Sequence, residues 1–379
     1  MRIIRLSIER FRSYQKCDVC FGEEDMHMLT GPNGAGKTNV IEALGILSEA
    51  HSFITSDEGE AVAWGESFYR VSGDVRCDTG ECKELEVVCE RTPRKRKGYF
   101  LQGVRVPSQH FIGTLPTVVF LPQDLSLFSG PPSGRRRIID RVLGQISPEF
   151  RHAEEVYGKA LKQRSALLKN IVKGTGRRED LVTWNVILAH EGAAITLRRL
   201  ELLELLQCTL AAELQRLGEM WSDAAFRYER KSTERTLPRI EAQMLQGFED
   251  SLERDLLLQS TTVGPHRDDW DIIVMGRSLS SFASRGQQRS AVLALLFLLG
   301  GYMELQRGEK PVILLDDVLS ELDQSHQEAL LSSFSGHQVI ITTTHIPEDA
   351  LGGVRIWNVK QGKVMERAVS PSTSLRTGR

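Results

Sequence analysis

Eight consecutive residues, Gly31-Pro32-Asn33-Gly34-Ala35-Gly36-Lys37-Thr38, satisfy the spacing G-x-x-x-x-G-K-[ST]. Glycines at these places let the backbone wrap an anion, so that successive N–H groups and a helix N-terminus face it. Lys37 adds a charge for β- and γ-phosphates, and the Thr38 hydroxyl suits a Mg2+ ion, which makes ATP with Mg2+ the expected ligand. A metal-bound phosphate also needs acids. The apolar run 312–315, of the buried parallel-strand type, ends in Asp316 and Asp317. Asp316 is expected to orient the metal and Asp317 to polarise an attacking water, with a turn- or helix-capping role as the alternative for Asp317. Between loop and acids, Ser284-Arg285-Gly286-Gln287-Gln288 precedes the apolar run 291–299. A serine and a glycine at a helix start place a hydroxyl and free N–H groups where an anion can dock, which nominates Ser284, Gly286 and Gln287. Gln123 follows the strand 118–121, Ser320-Glu321-Leu322-Asp323 follows the acid pair, and His345 ends the strand 339–344. Each of these alone is more often structural than functional, so their order carries the information.

The elements that must hold these residues are legible in outline. Residues 1–30 read as strands leading into the glycine-rich turn, and 39–47 as the helix after it. Segments 69–75, 85–88, 99–106 and 117–120 lean to β-structure, and strand patterns return at 271–274, 312–315 and 339–343. Ser147-Pro148-Glu149 has the form of a helix start, with serine as N-cap and proline at the first position. Leu188, Ile195, Leu202, Leu206, Leu210, Leu214 and Leu217 recur at helical spacing along 180–217. The expectation is an α/β fold with mixed sheets: a discontinuous head from 1–145 and 255–367, an inserted helical arm at 146–254, and a disordered tail at 368–379.

Composition narrows the function. The chain has 379 residues, 48 Lys+Arg against 50 Asp+Glu, and a formal net charge of −2, which argues against a protein basic all over. Any nucleic-acid surface must therefore be local. The most apolar stretch, 291–303, falls short of the roughly 20 residues that span a bilayer. The opening MRIIRLSIERF alternates apolar and charged residues, unlike an export signal, so a cytoplasmic protein without a membrane partner is expected. Cys17, Cys20, Cys77, Cys82, Cys89 and Cys208 then read as reduced thiols; zinc at the first two pairs is the less favoured reading.

Taken in order, the phosphate loop, Gln123, the Ser284 segment, the acid pair, Asp323 and His345 resemble the ABC class of ATPase. Finer features are similar to the RecF recombination mediator family: Ile8-Glu9-Arg10-Phe11-Arg12-Ser13-Tyr14, the run from Pro131 through Arg135-Arg136-Arg137 to Asp140, and Thr262-Val263-Gly264-Pro265-His266-Arg267-Asp268-Asp269. The resemblance implies a homodimer that sandwiches two ATP molecules. Lys37, Thr38, Gln123, Asp316, Asp317 and His345 would act on one face, Gln123 also toward the metal. Ser284, Gly286 and Gln287 of the second copy would close the other face, with Asp323 at the seam. It further implies ATP-dependent binding of gapped DNA, single- and double-stranded, in recombinational repair and replication-gap processing, and loading of the strand-exchange recombinase with RecO and RecR. The second acid is Asp where many ABC proteins carry Glu, which suits slow hydrolysis; the expected activity is a weak, DNA-stimulated ATPase. Two rival readings are a transporter's ATPase subunit and an ATP-binding scaffold that hydrolyses little.

Two basic clusters are candidates for DNA phosphates: Arg91, Arg94, Lys95, Arg96 and Lys97 in a hairpin loop, and Arg135, Arg136, Arg137 and Arg141 at a helix start. A charge run is as often a solvated face. His266 and Arg267 read equally as locks on the turn before the strand 271–274. No aromatic–basic array is present, so sequence-indifferent, salt-dependent backbone contact is expected.

Overall fold

The computed structural model describes residues 1–55, 57–92, 94–230, 233–344 and 354–367. His345 and the tail 368–379 lie outside the described residues. The chain divides into two compact units, Met1–Pro122 with Met303–Arg379, and Gln123–Tyr302.

The first unit holds two six-stranded sheets. One is antiparallel, in the order Tyr14–Cys20, Arg2–Phe11, Phe68–Arg76, Cys82–Glu90, Arg96–Leu101, Val104–Val106. Along Arg2–Phe11 the residues Ile3, Leu6, Ile8 and Phe11 are buried, the alternation of a sheet with one core face. The other runs Lys363–Glu366, Val354–Lys360, Met26–Thr30, Val339–Thr343, Val312–Asp316, Thr117–Phe120, parallel throughout except for the first pair. Its inner strands VILLD and VIITT are buried at every position, which is why they read as continuous apolar runs. The helix Lys37–Glu49 packs against strands of both sheets, so its apolar residues are buried nearly all round. The segment 99–106 forms two strands rather than one. Gln102 and Gly103, at φ 51° and 73°, turn the chain back in a tight hairpin.

The second unit is built on long helices. Ser147 caps Pro148–Val172 by accepting the Phe150 N–H at 3.1 Å, with Pro148 in the first turn. That helix packs on Leu181–Arg216, whose 36 residues span about 54 Å. Pro132–Ile146, Leu237–Asp250, Leu252–Leu258 and the larger part of Arg285–Arg307 are further helices of this unit. A small sheet in the order Arg277–Ser278, Asp269–Val274, Ala225–Glu229 lies beside it. By packing, residues 123–145 and 255–302 fall with the arm helices. Among the described residues no helix is long and apolar enough to cross a membrane. No group of three or more His, Cys, Asp or Glu side chains among them gathers into a metal cluster.

Candidate nucleotide site

The phosphate loop joins the strand Met26–Thr30 to the helix Lys37–Glu49. Two of its glycines are required sterically. A Cβ on Gly31 would collide with the Val359 carbonyl. Gly36 is the N-cap at φ 107°, and a Cβ there would come within 2.9 Å of Ser13 Oγ and 3.0 Å of the Tyr14 hydroxyl. Tyr14 fixes the loop by donating to the Gly36 carbonyl at 3.0 Å, and Asn39 donates to Ser13 Oγ at 3.0 Å. Lys37 reaches back across the loop, with Nζ 2.8 Å from the Gly31 carbonyl and 3.2 Å from that of Pro32.

Parallel pairing aligns the ends of neighbouring strands and so brings the acids to the loop. Thr38 Oγ1 lies 2.9 Å from both oxygens of Asp316, and Thr342 Oγ1 donates to Asp316 Oδ1 at 2.6 Å. Burial raises the Asp316 pKa above the usual carboxylate value; hydrogen bonds from Thr342 and Thr38 oppose the shift. Thr38 and Asp316 are hard oxygen donors side by side at the loop's helix start, a donor set that fits Mg2+. Asp317 occupies the left-handed region at φ 46°, and among the described residues its buried Oδ1 has no hydrogen-bond partner. The helix also buries Glu42, on which Arg12 closes a fork at 2.7 and 2.8 Å and to which Ser52 donates.

In the second unit, Ser284 and Gln287 cap the helix Arg285–Arg307 reciprocally. The Ser284 N–H donates to Gln287 Oε1 at 3.0 Å, and the Gln287 N–H donates to Ser284 Oγ at 3.3 Å. Ser284 and Gly286 are exposed. Gln123 opens this unit, directly after the strand Thr117–Phe120 and Leu121-Pro122. Asp323, in the first unit, caps Gln324–Ser333, and the His326 N–H together with Ser325 and His326 side chains holds its carboxyl down at about 2.

The two basic clusters separate on inspection. Arg94 and Arg96 are exposed at the hairpin between Cys82–Glu90 and Arg96–Leu101. Lys95 pairs with Asp57 at 2.6 Å; Lys97 pairs with Glu58 and donates to the Ala50 carbonyl at 2.6 Å. In the second cluster Arg137 is exposed and Arg136 donates to the Asp268 carbonyl at 2.6 Å. Arg135 is buried, forked onto Asp269 at 2.6 and 2.8 Å and onto the Leu127 and Gly130 carbonyls. Its guanidinium is committed within the fold, which corrects its place among the phosphate-facing candidates. His266 and Arg267 are locks as well: His266 bonds Tyr157 at 2.6 Å and the Thr261 carbonyl at 3.0 Å, and Arg267 donates to that carbonyl at 3.2 Å.

Arg12 and Tyr14 lie in the segment 8–14 that carries the family resemblance, but no role is legible for either in the sequence, and Glu42 stands in no motif. Thr342 carried a weak signal, a polar residue at the end of an apolar strand beside His345.

The paired sheets, the phosphate loop and the acid-tipped strand define an ABC-type P-loop ATPase head. A family model described as RecF/RecN/SMC N terminal domain matches residues 2–350. A DNA replication and repair protein RecF from Latilactobacillus sakei is 32% identical over 377 residues, covering 97% of this chain and 99% of that protein. One from Halalkalibacterium halodurans is 33% identical over 374 residues, covering 97% and 100%. A structure of the recombination mediator protein RecF-ATPrS in the RecFOR pathway aligns at a TM-score of 0.86 and 30% identity, over 97% of this chain and 98% of that one. An Smc head bound to the C-winged helix domain of ScpA, at 14% identity and a TM-score of 0.55, shares the fold. The chain belongs to the RecF recombination mediator family.

Proposed function

We propose that this chain is an ATP-dependent DNA-binding protein of replication and recombinational repair, a weak ATPase that dimerises on ATP. The head for this purpose is 1–145 with 255–367, and 146–254 is its arm. The observation that carries the reading is the cluster at the loop: Lys37 aimed across it, Thr38 on Asp316, and Asp317 with a buried, unpartnered oxygen. ATP binds with its phosphates on the N–H groups of 31–38 and on Lys37. Thr38 and Asp316, with Gln123, would hold Mg2+, which would supply charge neutralisation at the phosphates. Asp317 Oδ1 accepts a hydrogen bond from the attacking water and aims it, with His345 on the γ-phosphate. Ser284, Gly286 and Gln287 of a second copy close the site, because an exposed helix N-terminus with a cap hydroxyl is an anion acceptor. Asp323 lies at that seam. Loss of the γ-phosphate removes the charge that bridges the two copies, so hydrolysis resets the clamp.

DNA contact falls to the exposed Arg94, Arg96 and Arg137, with Lys95, Lys97 and Arg136 at their margins. Binding is to backbone, sequence-indifferent and steeply salt-dependent. RecO- and RecR-type partners are supported by the aligned RecF structure of the RecFOR pathway; with them the chain helps load the strand-exchange recombinase at gaps. The test is sedimentation with and without ATP and gapped DNA. Wild type dimerises with ATP; Lys37→Ala loses nucleotide; Ser284→Arg binds ATP and stays monomeric. A Ser284→Arg chain that dimerises normally would overturn the composite site.

A further inference from the structure

Thr342 sits on Val339–Thr343 directly opposite Asp316 in the parallel pairing, with no exposure to solvent. Its hydroxyl makes two bonds of opposite sense. It donates its one proton to Asp316 Oδ1 at 2.6 Å, and it accepts the Asp317 N–H at 2.8 Å. The Thr342 carbonyl takes a share of the same N–H at 3.1 Å. A single side-chain oxygen therefore ties the carboxylate of one acid to the backbone of the next.

That tie matters because of the conformation it holds. Asp317 stands at φ 46°, a region that costs a non-glycine residue and persists only when its surroundings enforce it. Valine at position 342 would fill the same volume but offer neither bond, so only the Thr342 carbonyl would remain to hold the Asp317 N–H. Asp316 would keep Thr38 on both oxygens. The loss would fall on the direction of Asp317, whose buried Oδ1 has no partner among the described residues.

We infer that Thr342 is a positioning residue for ATP cleavage: it fixes the water-orienting acid Asp317 relative to Asp316 and sets the rate of hydrolysis rather than the affinity for nucleotide. This rests on the ATPase reading above. Thr342 touches neither water nor phosphate; it acts through Asp317.

The experiment uses the full chain as wild type, Thr342→Val, Thr342→Ala, Thr342→Ser, Asp317→Asn, and Asp317→Asn combined with Thr342→Val. Three quantities are read: equilibrium binding of a fluorescent ATP analogue with and without Mg2+, single-turnover cleavage of ATP, and the thermal midpoint. Thr342→Val is expected to slow cleavage by about 10- to 100-fold while the nucleotide Kd stays within roughly threefold. Thr342→Ser, which keeps the hydroxyl, recovers a rate near wild type. In the Asp317→Asn background Thr342→Val brings no further loss, because the group it positions is already gone. Thr342→Ala repeats the rate defect if valine lowers the thermal midpoint. Cleavage by Thr342→Val and Thr342→Ala at the wild-type rate overturns the inference alone, as does a Ser variant as slow as Val, or an undiminished further loss in the Asp317→Asn background. A wild type that cleaves no ATP overturns the ATPase reading and this inference with it.

Discussion

Arg164 and Asp255 form an ion pair in which neither side chain is exposed, with Nη1 and Oδ2 2.6 Å apart. Arg164 also donates to Asn185 at 2.7 Å and Thr261 at 2.9 Å, and Asp255 accepts the N–H and hydroxyl of Thr262 at 2.9 and 2.6 Å. The pair thus binds the helix Pro148–Val172 to the start of the stretch 262–269. Asp255→Asn keeps the shape and removes the counter-charge, leaving a buried guanidinium held only by neutral groups. Breaking such a pair costs ~3–5 kcal/mol. At ~2–4 °C per kcal/mol for a cooperative unit of about this size, the thermal midpoint of the second unit should fall by about 6–20 °C. Removing both charges with Arg164→Met and Asp255→Leu should cost less than the sum of the two single changes, since no orphan charge remains. Calorimetry on wild type, Asp255→Asn, Arg164→Met, Asp255→Leu and the double change measures both effects. A single change costing under ~1 kcal/mol, or a double change equal to the sum, would refute the argument that burial makes this pair interdependent.

Three further outcomes follow from the geometry. Gly36→Ala places a side chain at φ 107° against Ser13 and Tyr14; at ~1–3 kcal/mol of strain, ATP affinity measured by titration should drop roughly 5- to 150-fold. His27 is buried against Phe21 and Trp357, and burial lowers its pKa to about 4. The unfolded chain then takes up a proton that the fold refuses, so His27's contribution is complete above about pH 6.5 and is lost as pH falls toward 4, about 2 kcal/mol of it by pH 5. Urea midpoints at pH 7 and 5 should therefore converge in His27→Gln relative to wild type; an unchanged gap would contradict this. Asp317→Glu should raise turnover by extending the acid toward the water, and steady-state hydrolysis that is unchanged or slower would sink that explanation of slow chemistry.

What the sequence disclosed depended on whether the physics was local. Gly31, Gly36, Lys37 and Thr38 stand out because a phosphate-wrapping turn needs them consecutively, and Asp316 because a buried strand that ends in acids is conspicuous. The Ser284–Gln287 cap was also within reach, as S-x-x-Q before an apolar helix is a capping signature. Arg135 could have been separated from Arg137 on helical spacing alone, since it shares a face with the buried Ile138, Ile139 and Val142. The contacts of Thr342, beyond its weak signal as a polar residue ending an apolar strand, and the Arg164–Asp255 pair are not legible this way. The first depends on the register between two parallel strands, the second on a meeting of side chains 91 positions apart. Neither leaves a periodic trace.

The composite site is the centre of the account, and mixing two defective chains tests it most directly. Lys37→Ala keeps the Ser284 segment but binds no ATP; Ser284→Arg binds ATP but cannot close a partner's site. A heterodimer of the two contains one complete site. ATP-dependent dimerisation and hydrolysis should therefore reappear in the mixture, although neither chain shows them alone. A mixture that does no more than the sum of its parts would contradict a site shared between two copies.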